Sequence, residues 1–240
     1  LKLTPKSGSR TIKEKVMNAI TRLALVCLAL LVMLPMGLPA QSGPGWELIR
    51  HPNNIDKIRE QVTEYANQGK TPMGLSVVGE NVYILYVTGN KFKLDRWEIN
   101  WYDSVDSLKN GITEKMDSGF MPVGLHYDGN QFFILFIKTA FKATHWHIMP
   151  SQRTLNSLQQ AIADLTANYY VPMDLAAHGD QFFTLLVRIP TTTIKQWHIV
   201  TYQANNAAIT SGINAMVNQG WNPWGMDFDG NAVRILFVKS

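Results

Sequence analysis

Apolar residues return at helical spacing four times along the chain. Ile55, Ile58, Val62 and Tyr65 stand three, four and three apart, and Leu155, Leu158, Ile162 and Leu165 repeat those offsets. Val105, Leu108, Ile112 and Met116 keep the same face, as do Ile209, Ile213 and Met216. Each set predicts an amphipathic helix with one buried stripe. Asn54, Ser104 and Thr154 stand where caps are needed at the starts, and Gly69, Gly119 and Gly220 suit the ends. Tyr169 holds the corresponding place in the third segment, which predicts a different ending there.

After each helix the period changes. Pro72, Pro122, Pro172 and Pro223 open an extended run, and a turn follows seven residues later at Gly79, Gly129, Gly179 and Gly230. Runs apolar on both faces come next: Val82 to Val87, Phe132 to Ile137, Phe182 to Val187 and Val233 to Val238. Such runs predict hairpins whose return strands are covered on both sides. A short strand begins each segment at Trp46, Trp97, Trp146 and Trp197. The unit is therefore strand, helix, strand, strand, over about 45–94, 95–143, 144–194 and 195–240.

Repetition at this period implies units that cannot bury their apolar face alone and stack into one core. The expectation is an α+β repeat protein of four βαββ units in one single domain, 41–240. Its strands would join into a curved mixed sheet, a half-barrel or closed barrel, with the helices on one face as crossovers. Each return strand would pair with the next Trp strand. The alternative is a propeller-like ring of four units.

The same pattern resembles the bacterial tandem repeats found beside secreted serine hydrolases. It is also similar to a short bacterial domain that begins Trp-Glu and carries Gly-Trp after its helix. Trp46-Glu47, Trp97-Glu98 and Gly220-Trp221 carry the likeness, which covers residues 45–240. It implies a strand-helix-strand-strand unit with a binding or accessory role, and it brings no catalytic residues across. No Ser-x-x-Lys of the hydrolase itself occurs in the chain.

Composition shifts sharply at the N-terminus. Arg22, the apolar run Leu23 to Leu34 and the small-residue stretch ending Pro39-Ala40-Gln41 describe a secretory leader over residues 1–40. Those residues hold six of the 22 basic and one of the 18 acidic side chains, leaving 16 against 17 and a net charge of −1. The basic pI therefore belongs to the leader and gives no reason to expect nucleic acid as a partner. The single cysteine, Cys27, lies in the leader too. The mature chain would have no disulfide, no thiolate nucleophile and no stable membrane span, and would be exported to the periplasm or beyond.

Catalytic motifs fail on context. Gly69-Lys70-Thr71 ends a helix and lacks the first glycine of a phosphate loop. Asp227 to Asn231 faintly matches a calcium loop but coincides with the hairpin turn of every segment. A ring of the kind found in amidine-processing enzymes would want a cysteine nucleophile. Glu47, Glu98, His147 and His198 follow the four Trp anchors and would form a metal or acid–base set only if they converged on an axis. An alternating strand would simply turn them to water.

The aromatics that do not recur are the better lead: Trp101, Tyr169, Tyr170, Trp221 and Trp224. Packing that repeats does not require them, so they are free to contact a ligand. The function expected is a non-catalytic secreted or periplasmic binding module without a cofactor, its partner a glycan, peptide or protein of the cell envelope. An assembly subunit of an envelope complex and a metal-dependent enzyme are the alternatives.

Overall fold

The computed structural model describes residues 41–239 other than 44, 90–93, 153, 191, 193 and 195. The leader expected over 1–40, with Cys27, lies outside the described residues. Beyond it the elements are β1 (Gln41–Gly43), β2 (Trp46–Pro52), α1 (Ile55–Asn67), β3 (Lys70–Val78) and β4 (Asn81–Thr88). Next come β5 (Leu94–Tyr102), α2 (Val105–Asp117), β6 (Phe120–Tyr127) and β7 (Phe132–Thr139). The third group is β8 (His145–Gln152), α3 (Leu155–Thr166), β9 (Tyr170–His178) and β10 (Gln181–Arg188). The last is β11 (Gln196–Gln203), α4 (Asn206–Asn218), β12 (Asn222–Phe228) and β13 (Ala232–Lys239).

Side-chain caps start each helix. Asn54 Oδ1 accepts from Lys57 N, Ser104 forms a reciprocal box with Ser107, Thr154 accepts from Ser157 N, and Asn205 accepts from Ala208 N. Gly69, Gly119 and Gly220 follow the helices at φ of 78°, 84° and 82°. Tyr169 takes φ 66° at the same place. The third helix does end differently, one residue earlier with its cap at Ala167, yet a tyrosine is still held in a conformation that glycine adopts freely. Tyr169→Gly is expected to raise stability by about 1 kcal/mol, the strain of a left-handed L-residue less part of the entropy of a glycine. A denaturant titration checks it.

The strands do not join into one mixed sheet. They form four antiparallel sheets, ordered β2-β4-β3, β5-β7-β6, β8-β10-β9 and β11-β13-β12, with β1 as an extra edge on the first. The half-barrel and closed-barrel expectation is overturned by this pairing. The reason lies in the crossover. Each helix carries the chain past one vacant position, and the return strand comes back into it. Both its edges are then taken within its own sheet, so the next Trp strand must begin a new one. Each Pro strand bulges once, at Met73, Val123, Met173 and Trp224, where the ladder steps over a residue.

The Pro strands pack against one another across sheets. β6 touches β3 and β9, while β12 touches β9 and β3, so the contacts make a circuit. No side chain larger than hydrogen fits at Gly225, where a Cβ would lie 2.6 Å from both Met173 O and Asp174 Oδ1. At Gly74 a Cβ would lie 2.9 Å from Met226 N and Cγ. The third strand puts Asp174 at the place held by these glycines, wholly buried. Its carboxylate accepts the N–H of Leu75 (3.2 Å), Leu125 (2.8 Å), Leu175 (2.9 Å) and Met226 (2.6 Å), one from each Pro strand.

Helix faces close the remaining apolar surface. Ile209 and Ile213 of α4 share one buried cluster with Trp46, Leu48 and Tyr83 of the first sheet, so the last segment closes on the first. Trp46 is buried and its indole N–H donates to Asn214 Oδ1 at 2.9 Å. Trp97, Trp146 and Trp197 are half-buried against the main core.

Candidate functional site

Two polar groups lie in the interior beside Asp174. Two residues beyond the glycine position stand Ser76, His126, Ala176 and Asp227, all buried. Ser76 Oγ donates to Phe228 O at 3.0 Å and accepts Phe228 N at 3.1 Å, which ties the first sheet to the last. His126 Nδ1 stands 3.5 Å from that hydroxyl, and Nε2 has no hydrogen-bond partner among the described residues. Burial pulls His126 down to about 4, against the pull of Asp128 and with the push of His178. Asp227 accepts Ala177 N at 3.0 Å and Arg234 at 2.6 Å, and burial still raises its carboxyl. Arg234 also reaches Asp229 at 2.8 Å.

A second buried chain runs Gln61–His51–Tyr86. His51 Nδ1 meets Gln61 Oε1 at 2.6 Å and Nε2 meets the Tyr86 hydroxyl at 3.1 Å. The amide oxygen can only accept, so Nδ1 carries the proton and Nε2 accepts from Tyr86. Burial depresses His51 and raises Tyr86. Both groups are satisfied and enclosed, which is the profile of a core network.

A polar recess of about 490 Å³ runs along Arg59, Arg96, Glu98 and Asn100, and a more apolar cleft of about 370 Å³ opens between the first and second sheets. Ile55 and Ile58 of α1, Leu75 and Val77 of β3, and Val82 of β4 form one wall. Ile99 and Trp101 of β5 and Phe133 of β7 form the other, with Asn53 and Gln131 as the polar groups. Trp101 is 57% exposed, and its place at the end of β5 leaves the indole uncovered. An apolar recess with a few amides and an aromatic beside it has the form of a ligand site.

The structure scatters the other aromatics. Tyr169 is 69% exposed after α3, and Tyr170 is half-buried at the start of β9. Trp221 is half-buried, with Lys239 Nζ 5.5 Å from its ring centre and His198 at 6.1 Å. Trp224 is only 8% exposed, and its indole N–H reaches Met173 Sδ at 3.3 Å. It therefore belongs to the core and offers no platform. It occupies the bulge filled by Met73, Val123 and Met173, so its residue type breaks the pattern while its position does not.

Glu47, Glu98, His147 and His198 lie on β2, β5, β8 and β11, the strands on the far side of each return strand from the Pro strand; β5, β8 and β11 are sheet edges, while β2 is flanked by β1. Glu47 pairs with Lys70 at 2.6 Å, and Glu98 pairs with Lys115 and, at 3.5 Å, Arg96. His147 and His198 are exposed. Among the described residues no group of three or more His, Cys, Asp or Glu is placed to hold a metal ion. Nor, among them, is any helix long and apolar enough to cross a membrane.

Sequence reasoning missed Asp174, His126 and Val77. Asp174 was visible as the one acid in Pro-Met-Asp-Leu, where the other segments have Gly. No protein-family model matches the chain, and no curated protein is significantly similar to it.

Proposed function

We propose that the protein is a non-catalytic binding module, exported to the periplasm or beyond, that holds a peptide, partner protein or glycan of the cell envelope in the cleft beside Trp101. The four strand-helix-strand-strand segments act as a propeller-like ring, and the circuit of Pro-strand contacts supports that reading. A ring of this kind offers its ligand a recess between neighbouring sheets.

The observation that carries the proposal is the exposed Trp101 indole on an open apolar cleft. A large aromatic in water is an unfavourable place for the chain to spend a tryptophan, and it becomes favourable once a ligand covers it. The buried Gln61–His51–Tyr86 chain and the paired Glu47 and Glu98 supply no exposed acid–base couple to set against this reading.

Trp101→Ala is the test. Binding to the partner recovered from an envelope extract or a glycan array is expected to weaken at least tenfold, with the melting temperature within about 2 °C of the wild type, since an exposed substitution costs little. Intact binding by a folded variant would place the site elsewhere. A self-associating oligomer whose contacts bury Trp101 would favour the assembly-subunit reading.

A further inference from the structure

The four neighbouring-sheet contacts are built alike but filled differently. Five residues after each proline stand Val77, Tyr127, Ala177 and Phe228. Facing them from the next sheet are Phe133, Phe183, Arg234 and Tyr83, each the ladder partner of the residue just before that position on its own Pro strand.

Two of these contacts are closed by an aromatic pair. Tyr127 meets Phe183 with ring centres 5.0 Å apart at 69°, and Phe228 meets Tyr83 at 4.9 Å and 86°. Both are edge-to-face, the favoured geometry for interacting rings. The third contact has Ala177 and is closed by Arg234 bound to Asp227 and Asp229. At the first, Phe133 faces Val77, and there the cleft opens.

Resting on the binding-module reading, we infer that the cleft takes a phenylalanine or tyrosine side chain of a partner peptide. The guest ring occupies the place that Tyr127 and Phe228 fill elsewhere in the same molecule, edge-to-face with Phe133. The volume allows it, since a cavity of roughly 150 Å³ already admits benzene and this recess has about 370 Å³. Asn53 and Gln131 supply amide donors and acceptors that a peptide backbone can use, as a bare aromatic solute could not. Trp101 covers the guest's outer face.

The experiment uses the mature chain and three probes: acetylated Ser-Phe-Ser amide, the same tripeptide with Leu at its centre, and a β-1,4-linked N-acetylglucosamine tetramer. Methyl resonances of Val77 and Ile99 report on the cleft. The Phe peptide is expected to shift them and to bind at least tenfold tighter than the Leu peptide. Val77→Phe should fill the recess with the chain's own ring, abolish that binding and raise the unfolding midpoint. Phe133→Ala removes the facing ring, which also packs on the core and lies 6.0 Å from His126; checked to be folded by its melting curve, it should weaken the Phe peptide tenfold while affecting the Leu peptide little. Equal binding of both peptides, or binding of the sugar alone at these methyls, would overturn the aromatic guest and leave the binding module standing. No methyl shift with any probe would overturn the guest, while the Trp101→Ala comparison would still judge the module.

Discussion

Asp174→Ala is expected to cost at least about 4 kcal/mol of stability, read as a drop in the urea midpoint. The estimate follows from four backbone N–H groups, each left buried without an acceptor at a cost of about 1–3 kcal/mol. The low end of that range is appropriate because a water can enter the space the carboxylate leaves and recover part of the loss. Asp174→Asn separates shape from chemistry. Its amide keeps one oxygen but turns an NH₂ toward two N–H donors, so it should fall between wild type and Ala. Asp174→Gly, which makes the third strand match the other three, should be no better than Ala. Indifference to all three changes would mean that the carboxylate is not what joins the four Pro strands.

The second large effect concerns acid. His126 is buried with a native pKa of about 4 against an ordinary 6.5. The unfolded chain therefore takes up a proton as pH falls through 6.5, whereas the native chain refuses it until about 4. A depressed native value means stability that is fully present above 6.5 and lost on the way down to about 4. A difference of that size corresponds to about 3 kcal/mol. Asp174 and Asp227 have raised values from burial and work in the opposite sense, since the native chain keeps protons that the unfolded chain releases. Comparison with His126→Gln cancels their part. The wild-type advantage over His126→Gln is expected to shrink by about 3 kcal/mol between pH 7.5 and 4. A difference that stays constant across that range would show that His126 does not titrate on unfolding.

The elements were legible in the sequence because each depends on nearby residues. Helix stripes, Asn54, Ser104 and Thr154 as caps, and hairpins at Gly79 and Gly179 all follow from spacing within about a dozen positions. Strand partners were not legible. An apolar run such as Val82 to Val87 announces that it is covered, but its pattern is the same whether its neighbour is β5 or β2. Tyr169 was partly legible: the third helix does stop one residue early, but the left-handed backbone that the residue type disfavours is adopted there all the same.

The site was half legible. Trp101 stood out because it interrupts the periodic pattern, and the structure leaves it exposed. Trp224 stood out equally, yet its bulge turns it inward onto Met173. The cleft itself was hidden because it arises from an absence, a valine at the position where two other segments carry rings. Such a signal appears only when all four segments are compared column by column, and Val77 looks like ordinary core in isolation.

The contact between Trp46 and Asn214 joins residues 168 apart in sequence, which ties the order of folding to the order of synthesis. The first sheet leaves the ribosome with Trp46, Leu48 and Tyr83 in a cluster completed by residues of the last segment, among them Ile209, Ile213 and Phe228. Until those residues emerge, that cluster lacks the partners it has in the finished fold. Closing a loop of this length is slow and comes late, because its entropy must be met before its contacts form. In the interval the growing chain presents a sticky surface that a chaperone could shield or a second nascent copy could capture. The fold is thus most vulnerable while it is being made, and that exposure ends only when its two ends meet.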